Sequence, residues 1–128
     1  MNPAEKKALV DEIDRAYTEF GLTDSGAEIS FRDAEKLPYL SAVIKESMRL
    51  HPSITYQLPR VVPDQGVQIR PYQIDKGFVC SIGPASMNRS KEIFGDDADE
   101  WKPERWLTSD EGDEKRIQSM SNNLTTVS

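Results

Sequence analysis

The sequence is poor in the residues that build metal centres and disulfide frameworks, since its 128 residues include one cysteine and one histidine. A zinc framework and an internal disulfide network are therefore excluded within this chain. No apolar run approaches the roughly 20 residues that a membrane-spanning helix needs. Basic residues are outnumbered, 16 against 22 acidic ones, and the net charge of -6 disfavours binding to nucleic-acid phosphates. These absences favour a soluble, cytoplasmic chain without a nucleic-acid partner.

Three stretches carry helical signals. Asn2, Pro3 and Glu5 suit the start of a first helix, which Gly21 would end. Ser30 and Asp33 resemble a capping box that opens a short second helix. The third helix is predicted to begin near Pro38 and to end before Pro52, because a proline disfavours helical geometry in the residue before it.

The third helix is predicted to be largely buried. Its apolar stripe consists of Leu37, Leu40, Ile44 and Met48, widened by Tyr39, Val43 and Leu50. Glu46 falls at the border of this stripe, and Arg49 lies further toward the polar side. A border position predicts that the Glu46 carboxylate is buried and has a charged or hydrogen-bonding partner.

Beyond the third helix the apolar period changes to two. Alternation over Val67–Ile69, Tyr72–Ile74 and Phe78–Ile82, with turn residues in "PDQG" and "DKG", predicts short strands and hairpins. "RSKEIFG" predicts one or two helical turns closed by Gly95, and "SDEGDEKRIQSM" a short amphipathic turn. The fold class is therefore mixed α and β, with helices dominant.

Two segments offer charged residues for a network. Glu46 and Arg49 are three residues apart on the helix, and Arg105 stands in "KPERW". From the spacing alone, an ordinary solvated ion pair, contributing about 0.2–0.5 kcal/mol, is the favoured explanation of the first pair. Arg105 could likewise be a solvent-exposed residue in a loop anchored by the two tryptophans. The alternative is one planar carboxylate–guanidinium network.

Three stretches in their order resemble the later part of a cytochrome P450, a haem-thiolate monooxygenase: "LPYLSAVIKESMRLHP", "LPRVVP" and "NRSKEIFGDDADEWKPERWL". The resemblance covers residues 37–107 firmly and "DEKRIQSMSNNLTT" more loosely. It implies a partial cytochrome P450 fold over residues 1–128, with an ordered core over 3–107. Residues 108–128 would then be a tail that leads toward the haem loop.

The resemblance also assigns roles. Glu46, Arg49 and Arg105 would form a buried structural triad, and Arg60 would contact a haem propionate. Without the resemblance, a solvent-exposed arginine at a strand edge is the favoured interpretation of Arg60. Ser53, Ile54, Thr55, Tyr56 and Gln57 match a substrate-contact segment. Arg89 stands where the family often has a His-Arg pair, but Asn88 replaces the histidine, which puts a haem-side role for this pair in doubt.

The axial cysteine loop of the family, F-x-x-G-x-R-x-C-x-G, does not occur in the 128 residues. Cys80 precedes "KPERW" and alternates like a strand residue, so a buried structural thiol is the favoured interpretation. His51 is interpreted as a helix-end residue. Without the thiolate, this chain by itself is predicted not to be active.

The resemblance implies that the parent inserts one oxygen atom from O2 into a small organic substrate, using haem and electrons from a reductase. Its expected location is the endoplasmic-reticulum membrane. Two alternatives remain open: a non-catalytic truncated paralogue, and a small acidic interaction module. Val127 and Ser128 could be encoded as GTA-AGT, a splice-donor sequence, which gives the hypothesis that they are translated intron and that Met1 is not the true start.

Overall fold

The computed structural model describes residues 2–22, 28–57, 59–109 and 112–125. Helices dominate it and its strands form two antiparallel pairs, which confirms the mixed, helix-dominated fold class. Met1, Val127 and Ser128, which carry the hypothesis about the chain ends, lie outside the described residues. In chain order the elements are α1 (Pro3–Glu19), α2 (Phe31–Ala34), α3 (Pro38–Leu50), β1 (Arg60–Val61), β2 (Val67–Ile69), β3 (Tyr72–Ile74), β4 (Val79–Cys80), α4 (Pro84–Met87), α5 (Lys91–Phe94), a 3₁₀-helix (Pro103–Trp106) and α6 (Asp113–Asn123).

Helix α1 begins as its sequence predicts. The Asn2 side chain accepts hydrogen bonds from the backbone N–H groups of Ala4 and Glu5, and the Glu5 carboxylate accepts one from Asn2 N. This reciprocal capping box satisfies donors that the first turn of a helix leaves unpaired. The helix stops just before Gly21, whose φ of 66° is a conformation that glycine adopts without strain.

Helix α3 has the predicted start, but its cap comes from another helix. Leu37 stands at the N-cap position and offers no side-chain acceptor. Glu12 of α1 supplies the acceptors instead, because its carboxylate oxygens bind Tyr39 N at 2.9 Å and Leu40 N at 2.8 Å. A carboxylate at a helix N-terminus also interacts favourably with the positive end of the helix dipole. Glu12 therefore fixes α1 against the start of α3.

The buried face of α3 differs from the predicted stripe. Ile44 is 49% exposed, and Arg49, expected toward the polar side, has no solvent exposure. The helix turns the Glu46–Arg49 side inward because both charged groups find hydrogen-bond partners there, from the 3₁₀-helix and the loop before it. The buried residues of α3 are Ala42, Val43, Glu46, Arg49 and Leu50.

The strands are short and lie at the surface. β1 pairs with β4 so that Arg60 stands opposite Cys80, and β2 pairs with β3 so that Ile69 stands opposite Tyr72. The predicted turns are present, and Gly66 in the first of them has φ 71°. A Cβ atom there would lie 2.9 Å from Ile74 O, so only glycine fits without a shift of the backbone.

The hydrophobic core includes a residue of α6. Met120 of α6 is 1% exposed and packs in the central cluster, so α6 is a full helix rather than a short turn. The 3–107 range remains a prediction as a domain boundary. In the described part of the chain, no helix has the length and apolar character to cross a bilayer. The buried members of the cluster are Ala42, Phe94, Ala98, Trp106 and Met120.

Candidate functional site

The centre of the site is the carboxylate of Glu46, which is fully buried on α3. Its Oε1 accepts from Arg49 Nη2 at 2.8 Å, Arg105 Nε at 3.0 Å and the backbone N of Lys102 at 2.9 Å. Its Oε2 accepts from Arg49 Nε and from Trp106 Nε1, each at 2.9 Å. The structure thus brings the three predicted network residues into direct contact, through groups from α3 and the 3₁₀-helix.

Arg49 uses all its N–H groups within the protein. Nε and Nη2 grip Glu46 in the two-point geometry that suits a planar guanidinium and a carboxylate. Nη2 also donates to Glu100 O at 3.0 Å. Nη1 donates to Asn88 O at 2.7 Å and to Ala98 O. Arg49 therefore connects α3 to the C-terminal end of α4 and to the loop that precedes the 3₁₀-helix.

Arg105 repeats this pattern from the other side. Its Nε bonds to Glu46, and its Nη1 donates to Phe94 O at 2.7 Å and to the Asp97 carboxylate at 2.9 Å. Nη2 donates to Asp97 O at 2.9 Å, with a longer contact of 3.4 Å to Glu100 O. Both guanidinium groups are thus fully engaged by protein acceptors, which is what burial of a charge requires.

The charges of the network are paired, and Lys102 Nζ adds a third cation 2.7 Å from Asp97 Oδ2. Two guanidinium groups face the carboxylates of Glu46 and Asp97. Burial by itself raises the pKa of Glu46, but the hydrogen bonds from Arg49, Lys102 N and Trp106, together with the charge of Arg49, outweigh it and lower the pKa. A hydrogen bond from Lys102 and the contacts with Arg105 lower the pKa of Asp97 to about 2, against an opposing effect of desolvation.

Three residues of the network escaped the sequence pattern. Trp106 was interpreted only as a loop anchor, and Asp97 stands in an acidic run that gives no local signal for an internal partner. The sequence marks Asn88 only as a departure from a family pair, yet it is fully buried beside Arg49. Trp106 and Asn88 make their contacts over 60 and 39 residues of sequence, and Asp97 binds Arg105 across a non-repeating loop of 8 residues, so a periodic pattern does not encode them.

Arg60 lies apart from this network, at the edge of a separate depression. It is exposed, and among the described residues its guanidinium donates only to Pro59 O, at 2.9 Å. Leu58, the first residue of the "LPR" motif, lies outside the described residues. The depression has a volume of about 460 Å³ and a mostly apolar lining that consists of Arg60, Ile69, Cys80, Ser81 and Ile82.

The segment Ser53–Gln57 forms neither helix nor strand and connects α3 with β1. Thr55, Tyr56 and Gln57 line a second open depression together with Ser81 and Ser86. The Tyr56 side chain is 84% exposed there. Ser81 lines both depressions, so the depression beside Arg60 and the depression beside the Ser53–Gln57 segment are neighbours on one surface of the chain.

The remaining candidates have local explanations. Arg89 donates to Leu50 O at 3.0 Å and to Ala85 O at 3.1 Å, so it satisfies carbonyl groups at two helix ends. Cys80 is only partly buried, which differs from the buried thiol predicted for it. Within the described ranges, no group of three or more His, Cys, Asp and Glu side chains could hold a metal ion.

Comparison with known proteins identifies the family. The family model for cytochrome P450 matches residues 1–122. The chain is 39% identical over 125 residues to the cytochrome P450 monooxygenase cicH of Emericella nidulans, which is 98% of this chain and 24% of that protein. It is also 39% identical over 110 residues to pisatin demethylase of Fusarium vanettenii, covering 86% of this chain and 20% of the relative.

This chain spans about a quarter or less of the length of these relatives. The matched region includes the Glu46–Arg49–Arg105 network and both depressions, so the likeness covers the whole site described above. The chain belongs to the cytochrome P450 family.

Proposed function

We propose that this chain is part of a haem-dependent monooxygenase, which inserts one oxygen atom from O2 into a small organic substrate. The observation that carries the proposal is the buried, fully hydrogen-bonded Glu46–Arg49–Arg105 network in a chain of this family. Relatives that match this chain are named cytochrome P450 monooxygenases. These residues supply structure to that reaction rather than a reacting group.

The three network residues act as a scaffold. All the N–H groups of Arg49 and Arg105 are used by protein acceptors, and the Glu46 carboxylate accepts from five donors. A group held in this way presents no proton and no nucleophile to a substrate. Its contribution is to join α3, the 97–102 loop and the 3₁₀-helix into one unit. We therefore assign no catalytic residue in this chain.

The residues around Arg60 fit one side of a haem. The depression offers the apolar surface of Ile69 and Ile82 to a flat macrocycle, and Arg60 lines the same depression with donors that suit a propionate carboxylate. When bound, haem supplies the activation of O2. The role proposed for this chain is to hold and orient the cofactor through Arg60, and the axial cysteine is not among the residues assigned here.

The Ser53–Gln57 segment is proposed to contact the substrate. Its three last residues line a depression that adjoins the Arg60 depression, so a substrate held there would lie beside the cofactor side. Electrons for the reaction are proposed to come from a reductase. The proposed location of the parent, by its resemblance to microsomal members of the family, is the endoplasmic-reticulum membrane.

The test is a haem-binding measurement on the protein expressed from the complete transcript that encodes these residues. After reduction in the presence of carbon monoxide, a haem-thiolate protein gives the difference absorption band after which the family is named. Its appearance, together with oxidation of a trial substrate that depends on a reductase, supports the proposal. A folded protein that binds no haem overturns it and favours a non-catalytic paralogue.

The Arg60 contact has its own test in the same protein. Arg60→Gln removes the guanidinium and is expected to weaken haem retention roughly tenfold, the loss of one charge-assisted hydrogen bond. Arg70→Gln is the matched control, because Arg70 is also an exposed arginine and lies in the turn between β2 and β3. Equal haem retention in the two variants would rule out the contact.

A further inference from the structure

Asn88 makes a paired contact with the backbone of a distant residue. It follows α4, is fully buried, and has both ends of its side-chain amide in use. Nδ2 donates to Thr125 O at 3.1 Å, and Oδ1 accepts from Thr125 N at 2.9 Å. The side chain therefore binds Thr125 as a neighbouring β-strand would, with one donor and one acceptor directed at one residue.

The same residue is attached to the charged network. The backbone O of Asn88 accepts from Arg49 Nη1 at 2.7 Å. Asn88 thus connects Arg49, 39 residues before it in the sequence, with Thr125, 37 residues after it. Helix α6 has a second tie near its start, where Arg116 Nη1 donates to Arg105 O at 2.9 Å.

The contact with Thr125 requires both the amide group and the length of an asparagine side chain. Aspartate would place a second acceptor against the carbonyl of Thr125, and an apolar residue would leave both backbone groups of Thr125 without this partner. Glutamine is longer by one methylene in a position without solvent space. Asparagine alone among these supplies one donor and one acceptor at the required spacing.

We infer that Asn88 is a positioning residue, which fixes the path of the backbone after α6 relative to the Glu46–Arg49–Arg105 network. The inference rests on the proposed function, because it assigns a residue that aligns two parts of the same scaffold. It concerns the position of the backbone rather than the binding of haem. Its test therefore uses a measurement that needs neither cofactor nor activity.

The measurement is amide hydrogen exchange of the 15N-labelled chain, followed residue by residue. In the unchanged protein the Thr125 amide is expected to exchange more slowly than an unstructured peptide. Exchange of this amide at the unstructured rate, while the α6 amides are protected, would overturn the inference without any variant.

Asn88→Ala is then compared with Asn122→Ala, a change at an exposed asparagine of α6. After correction for the change in global stability, Asn88→Ala is expected to speed Thr125 exchange roughly tenfold, the effect of losing about one hydrogen bond. The amide of Met120 and the control variant are expected to show no such change. If Thr125 and Met120 accelerate by the same factor, Asn88 stabilises the fold generally and the positioning role is wrong.

Discussion

Glu46 and Arg105 are 59 residues apart in the sequence, yet Arg105 Nε lies 3.0 Å from Glu46 Oε1 with both side chains almost completely buried. Such a pair forms only when α3 and the 3₁₀-helix are packed together. Each charge depends on the other, since a buried ion without its partner retains the full cost of leaving water. The contact therefore links the tertiary fold to the ionised state of two side chains.

Removing the central carboxylate tests this dependence. Glu46→Ala leaves Arg49 and Arg105 buried without their shared counter-ion, and we expect the free energy of unfolding to fall by about 3–5 kcal/mol. Urea denaturation followed by circular dichroism measures the loss. Asp11→Ala is the control, because Asp11 pairs with Lys7 at a site where their side chains are 50% and 75% exposed. The control is expected to change stability by less than about 1 kcal/mol, and an equal loss in both variants would contradict the role of Glu46.

Trp106 and Trp101 serve as a test site and its control for the contribution of one hydrogen bond to stability. Trp106→Phe removes the Nε1–H that binds Glu46 Oε2 but keeps an aromatic ring near Phe94, so we expect a loss of about 1.5–3 kcal/mol. In the described part of the chain, the buried Nε1 of Trp101 has no hydrogen-bond partner. Trp101→Phe should therefore be much less costly, as the same denaturation experiment would show. A larger loss for Trp101→Phe would contradict the assignment.

Lowering the pH should reduce the free energy of unfolding, because it protonates the Asp97 carboxylate. Its pKa is lowered to about 2 in the folded protein, from an ordinary value of 3.8, chiefly by the hydrogen bond from Lys102. The folded state then binds a proton less readily than the unfolded state, so the stabilisation is complete above about pH 4. It is lost as the pH falls toward 2. The lowered pKa of Glu46 acts in the same direction.

Urea midpoints measured from pH 6 to pH 2 would show this loss. Asp97→Asn is expected to flatten the decline between about pH 4 and pH 2. Asp64→Asn serves as the control, because the Asp64 side chain is 97% exposed and its ion pair with Lys76 is long, at 3.9 Å. An unchanged pH profile in Asp97→Asn would show that this carboxylate is not the group responsible.

Glu12 offers a test of helix docking. Glu12→Gln keeps the length of the side chain and one of the two acceptors that face Tyr39 N and Leu40 N, but it removes the charge and replaces the other acceptor with an NH2 donor. Glu12→Ala removes both acceptors. We expect a loss of about 0.5–2 kcal/mol for alanine and a smaller one for glutamine. Thermal unfolding of both variants against Glu19→Ala, an exposed position on the same helix, measures the effect. Equal melting temperatures in all three would contradict the capping role.

Local signals were enough to place most elements. The capping residues Asn2 and Glu5 marked the start of α1, and Pro38 and Pro52 enclosed α3, because these residue types act on their immediate backbone. The alternating residues of 67–74 marked the hairpin for the same reason. The apolar stripe of α3 was less reliable, since Ile44 is half exposed while Arg49 is buried.

Capping geometry, glycine conformation and motif order were sufficient to predict the starts of α1, α2 and α3, the turns at Gly66, Gly77 and Gly95, and the three charged residues of the network. Only the tertiary structure decided that Glu12 caps α3, that Asp97 and Trp106 join Glu46 and Arg105, and that Asn88 binds Thr125. These contacts depend on which elements pack together. Short-range periodicity indicates which face of a helix or strand a side chain occupies. It does not identify the partner that a buried polar group requires.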